Sequence, residues 1–136
     1  MPDINRRRMF VVTAAILMAI NVIATRPGLA FEGEAFDEKT FVEAQKAGRP
    51  IVIEVSAGWC PICQVQGKVL SNLRKQPDFA KVLLITVEYD LEKDVLKRFN
   101  VTKQSTLIAF KGAAETARSV GDSNAASIEK LVRSTL

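Results

Sequence analysis

Apolar side chains gather in three short, near-continuous runs, residues 51–55, 82–87 and 107–110. Runs of this length, the first two rich in β-branched residues, read as buried strands. Residues 116–120 follow the third run across Gly112-Ala113-Ala114, a pattern that predicts a hairpin with a short loop. Helical spacing fills the intervals. Asp37 is a suitable N-cap for a helix through Ala47, with Phe41, Val42 and Ala44-Gln45 giving it an inner and an outer face and Gly48 as the stop. Arg49-Pro50 then leads into the first strand. Ile62, Val65, Val69, Leu70 and Leu73 set the apolar face of a second helix that runs up to Gln76-Pro77, and Gly67 inside it predicts a weak or bent turn. Residues 91–99 read as a short helix closed by Asn100. Asp122 or Ser123 caps a last helix whose apolar face is Ile128, Leu131, Val132 and Leu136. The resulting order is helix, strand, helix, strand, helix, strand, strand, helix. Strands alternating with helices imply an α/β fold: a mixed central sheet covered on both faces, with an antiparallel hairpin on one side.

The chain of 136 residues is long enough for one domain. Its net charge of +4 is unevenly placed, because Arg6, Arg7, Arg8 and Arg26 face only Asp3 within the first 30 residues. Beyond them the charges nearly balance and form no block, so the basic balance is no nucleic-acid footprint. Arg6-Arg7-Arg8, the apolar run 9–24 and the small residues Gly28 and Ala30 resemble a secretory signal peptide cleaved after Ala30. Arg7-Arg8-Met9-Phe10-Val11 also looks loosely like a twin-arginine signal. The competing reading is an uncleaved anchor, since about 17 residues is the lower edge of a membrane span. Residues 1–30 are therefore expected to be a leader and residues 31–136 an exported domain, periplasmic or anchored in the inner membrane facing the periplasm. There a cysteine pair can be oxidised.

Chemistry concentrates where the first strand ends, at Trp59-Cys60-Pro61-Ile62-Cys63. Pro61 suits the first helical position and pushes Cys60 out of the α region into the N-cap. A thiolate at that place feels the helix dipole and accepts free N–H groups, so Cys60 is expected to be an exposed, acidic nucleophile. Cys63, one turn in, is expected to be more buried. Glu54 interrupts an otherwise apolar strand, so burial is expected to raise its pKa and let it exchange a proton with Cys63 through a water. With two cysteines and no histidine, one subunit cannot build an ordinary structural zinc site.

The Trp-Cys-Pro-Ile-Cys stretch, in this order of elements, resembles the thioredoxin family from about Phe36 to Leu136. The resemblance extends to Glu54, to Asp90 at the end of the next strand, to Gly112 and Gly121, and to Gln104-Ser105-Thr106, which is similar to the family's active-site loop. It implies a thioredoxin-like fold and a protein-disulfide oxidoreductase. Cys60 and Cys63 would form a redox disulfide, Glu54 would move the proton, and Trp59, Pro61, Ile62, Gln104, Ser105 and Thr106 would meet the substrate. No cofactor is implied beyond that disulfide. The implied partners are exported proteins bearing disulfides, with a membrane electron donor, no nucleic acid, no membrane contact outside the N-terminal segment, and a monomeric state. One departure stands out: the family's cis-proline is replaced by Ser105. A non-proline cis bond costs about 2.5–4 kcal/mol, so the peptide before Ser105 is either trans or held cis against that cost. Two other classes stay open, a metal or iron-sulfur site shared by a cysteine-bridged dimer and a non-catalytic chaperone or binding module.

Overall fold

The computed structural model describes residues 33–136, so the expected leader lies outside the described residues. Five strands form one sheet in the order β1-β3-β2-β4-β5. They are β1 (Glu34–Ala35), β2 (Pro50–Ser56), β3 (Leu83–Glu88), β4 (Thr106–Lys111) and β5 (Ala114–Val120). The helices are α1 (Glu38–Lys46), α2 (Pro61–Arg74), α3 (Lys93–Arg98) and α4 (Ala125–Arg133), with a single 3-10 turn at Pro77–Phe79. β1 and β2 both run parallel to β3, whereas β4 is antiparallel to both β2 and β5. The sheet is thus mixed, as the pattern of apolar runs implies.

Alternation along β2 divides the core. Ile51, Ile53 and Val55 point to a layer built with Phe41, Leu96 and Phe99, in which Phe41 and Phe99 meet edge to face at 5.2 Å. Val52 points the other way, into a layer with Leu70, Leu73, Ile128 and Leu131 from α2 and α4. Burying each of these aliphatic side chains stabilises the fold by about 1.5–3 kcal/mol. Glu54 and Ser56 share the parity of Val52 and so lie beneath α2.

Several boundaries differ from those read in the sequence. β1 has no counterpart there, because two exposed residues carry no periodicity; their place comes from pairing with Ile85 and Thr86. The hairpin turn is Gly112-Ala113, one residue shorter than expected, with Gly112 at φ 56°. The helix expected over 91–99 shrinks to Lys93–Arg98, leaving Leu91 outside it and exposed. The cap of α4 is Asn124, whose side chain accepts from the Ser127 N–H; Asp122 instead accepts from the Asn124 N–H and the Ser127 hydroxyl. Gly67 does not interrupt α2, which is continuous across it.

Candidate active site

β2 delivers its chain to the N-terminus of α2, where Cys60 is the N-cap with extended backbone (φ -90°, ψ 108°) and Pro61 is the first helical residue. The Cys60 sulfur accepts the Cys63 N–H at 3.1 Å, which satisfies one donor of the first turn. Cys60 and Cys63 are joined as a disulfide, with Cα atoms 5.3 Å apart. Cys63 is fully buried, as its place one turn in suggests. Cys60 is also buried, at 2 % exposure, which corrects the expectation of an exposed sulfur. It lies in a small cluster with Ala57 and Cys63, against which Tyr89 packs. What stands out at this end of the sheet is apolar: Trp59, Ile62 and Val65 beside the pair, Leu91 next to Asp90, and Val120, which pairs with Thr106. Ile62 and Val65 thus leave the apolar face of α2 assigned to them and face solvent.

Trp59 is 60 % exposed, yet its indole N–H donates to Asp90 Oδ2 at 2.8 Å. Tyr89, which the sequence does not single out, packs on the cysteine cluster. Its hydroxyl donates to the Thr102 carbonyl at 3.1 Å, and the Lys93 ammonium lies 4.4 Å over its ring while donating to its carbonyl at 2.7 Å.

Glu54 is wholly buried and neither carboxyl oxygen has a hydrogen-bond partner among the described residues. Burial pushes its pKa up to about 7. Its Oε1 lies 3.5 Å from the position a β-carbon on Gly67 would take, so the glycine that does not bend α2 instead leaves room for the acid. Gly67 is four residues beyond Cys63 and therefore on the same face of the helix.

The loop before β4 holds the remaining candidates. No peptide bond among the described residues is cis, so the bond before Ser105 is trans; Ser105 itself adopts φ 53°, a left-handed conformation unusual for serine. Gln104 is half-buried, Ser105 is buried, and Thr106 is buried with its hydroxyl donating to the Lys103 carbonyl at 2.7 Å. The Ser105 carbonyl accepts two donors, the Gly121 N–H at 2.8 Å and Gln66 Nε2 at 3.1 Å. Gln66 also donates to the Asp122 carbonyl at 2.7 Å. Like Tyr89, it escapes a sequence reading, because nothing local marks a glutamine on a helix as fully buried. Among the described residues, no group of three or more acidic or cysteine side chains could hold a metal ion.

A dithiol-disulfide pair at a helix N-terminus, above a buried acid and at the end of a mixed sheet, defines a class of redox α/β proteins. Comparison with known proteins gives the family: the thioredoxin family model matches residues 30–134, and this chain belongs to that family. It is 33% identical over 88 residues to a thioredoxin H-type of Fagopyrum esculentum, covering 65% of this chain and 73% of that protein. A thioredoxin of Echinococcus granulosus is 31% identical over 90 residues, covering 66% of this chain and 81% of that one. Among solved structures, Trxlp from Edwardsiella tarda EIB202 matches with a TM-score of 0.70 and 32% identity, over 73% of this chain and 96% of that one. The protein is a thioredoxin-type protein-disulfide oxidoreductase. Its redox group is the Cys60–Cys63 disulfide, and its substrates are proteins that carry disulfides.

Proposed function

We propose that this oxidoreductase works outside the cytoplasm, reducing or exchanging disulfides of other exported proteins, with electrons supplied by a donor in the membrane. The leader supports the location: three arginines, an apolar run over 9–24 and small residues at Gly28 and Ala30. The direction is supported by Pro61-Ile62 between the cysteines, where no histidine adds to thiolate stability.

The observation that carries the mechanism is Glu54, buried beneath the same face of α2 that holds Cys63. In the reduced protein the Cys60 thiolate attacks a substrate disulfide. A bond from Cys60 to the substrate forms as the substrate's own S–S bond breaks, and the departing sulfur takes a proton. Ionised Glu54 accepts the thiol proton of Cys63 through a water. The Cys63 thiolate then attacks Cys60, releasing the second substrate thiol and leaving the Cys60–Cys63 disulfide seen here. Two electrons pass to the substrate, and a dithiol of the donor returns them to the pair.

Equilibration with glutathione tests the direction. A reductase pair is oxidised by all but strongly reducing mixtures; a pair that stays reduced in strongly oxidising buffer overturns this reading. Cell fractionation tests the location, with recovery of active protein only from the cytosol as the adverse result.

A further inference from the structure

We infer that Gln66 is a positioning residue for protein substrates, holding the Ser105 loop in the left-handed shape against which a substrate chain is set. This rests on the oxidoreductase function established above.

A glutamine without solvent exposure is costly in a core, and this one leaves its Oε1 without a partner among the described residues. Both donors of its amide are used on backbone carbonyls of two separate loops, Ser105 at 3.1 Å and Asp122 at 2.7 Å. Those loops flank the same end of the sheet, because Gly121 N–H also donates to the Ser105 carbonyl. Gln66 lies three residues after Cys63, so its amide ties both loops to the helix that carries the buried sulfur.

Ser105 needs such a tie. A left-handed serine is strained by roughly 1–2 kcal/mol, and it persists only where its surroundings over-determine it. A proline ring would limit the backbone at this place; here two hydrogen bonds to one carbonyl do so. The amide reaches no reacting atom in this arrangement and acts through the loop. Its removal is therefore expected to weaken recognition of a polypeptide, with the chemistry of the sulfurs unchanged.

The test is Gln66→Met, close in volume and without donors, assayed with native insulin as the protein disulfide and bis(2-hydroxyethyl) disulfide as the small one, each with reduced dithiothreitol as the electron source. KM for insulin is expected to rise roughly five- to tenfold, the effect of about one lost hydrogen bond. Its kcat, turnover of the small disulfide and the glutathione equilibrium should stay as in wild type. Adding Ser105→Gly, which needs no anchor at positive φ, should recover part of the KM. Equal loss on both disulfides, an altered glutathione equilibrium, or an unchanged KM overturns the inference. Should Gln66→Met fail to fold, Gln66→Asn, a shorter amide, carries the same comparison. Failure of the wild type on both disulfides would instead strike the oxidoreductase reading.

Discussion

The carboxyl of Glu54 occupies the groove that Gly67 leaves on α2, with Oε1 3.5 Å from where a β-carbon would stand. That separation is an ordinary van der Waals contact, so alanine fits. Gly67→Ala is expected to stabilise the protein by about 1 kcal/mol at pH 4, through helix propensity alone. The added methyl also dries the carboxyl, so the acid limb of the activity profile should move to higher pH. Urea melts and a pH-rate profile measure the two effects, and a lower stability at pH 4 would show that the groove cannot take a methyl group.

Glu54 gives stability a pH dependence whose sign is fixed. Its pKa in the fold, about 7, lies above its ordinary value of 4.5. The folded protein therefore holds the proton more tightly than the unfolded chain, and stability falls as pH rises from about 4.5 through about 7, by about 3 kcal/mol in all. Glu54→Gln should match wild type at pH 4, exceed it by about that amount at pH 8, and reduce protein disulfides more slowly. A wild-type stability that stays flat across this window would contradict the assignment.

The two cysteines have separable roles. Cys60→Ser should abolish exchange, since it removes the sulfur at the helix N-cap and leaves only Cys63, fully buried in the first turn of α2. Cys63→Ser should leave the first attack intact and accumulate a mixed disulfide, visible as a reducible mass shift. Wild-type turnover by Cys63→Ser would reverse the assignment.

Asp90 holds an exposed indole in place. Asp90→Ala removes the acceptor of the Trp59 N–H. Because the pair lies at the surface, the expected loss of stability is below about 1 kcal/mol, whereas tryptophan fluorescence should change and KM for a protein disulfide should rise. A cooperative unfolding loss of several kcal/mol would place Trp59 in the core instead.

Much of this architecture is legible in the residues because its causes are local. β-branched runs give β2 and β3, Pro61 sets Cys60 at the N-cap, and an acid in an apolar run betrays its own burial at Glu54. What escapes depends on distant neighbours. Gly67 has the same local signature whether it bends a helix or makes room for a carboxyl from the sheet. Gln66 looks like a solvent residue until the loops at Ser105 and Asp122 meet its amide. Cys60 is expected to be exposed from its place at a helix start, but Ala57 and Tyr89, which the N-cap geometry does not reveal, cluster around the pair and bury it. Ser105 shows that a proline is missing; its left-handed φ depends on partners in α2 and after β5.

β1 and β2 both run parallel to β3, and Glu34 and Ile53 both pair with Ile85, so β1 enters the sheet level with the middle of β2, while the sulfurs lie just past the far end of β2. From Gly33 the chain thus runs along an edge strand toward the end of the sheet that carries the reacting pair. An attachment on the first turn of α2, which carries the pair, would crowd the sulfurs.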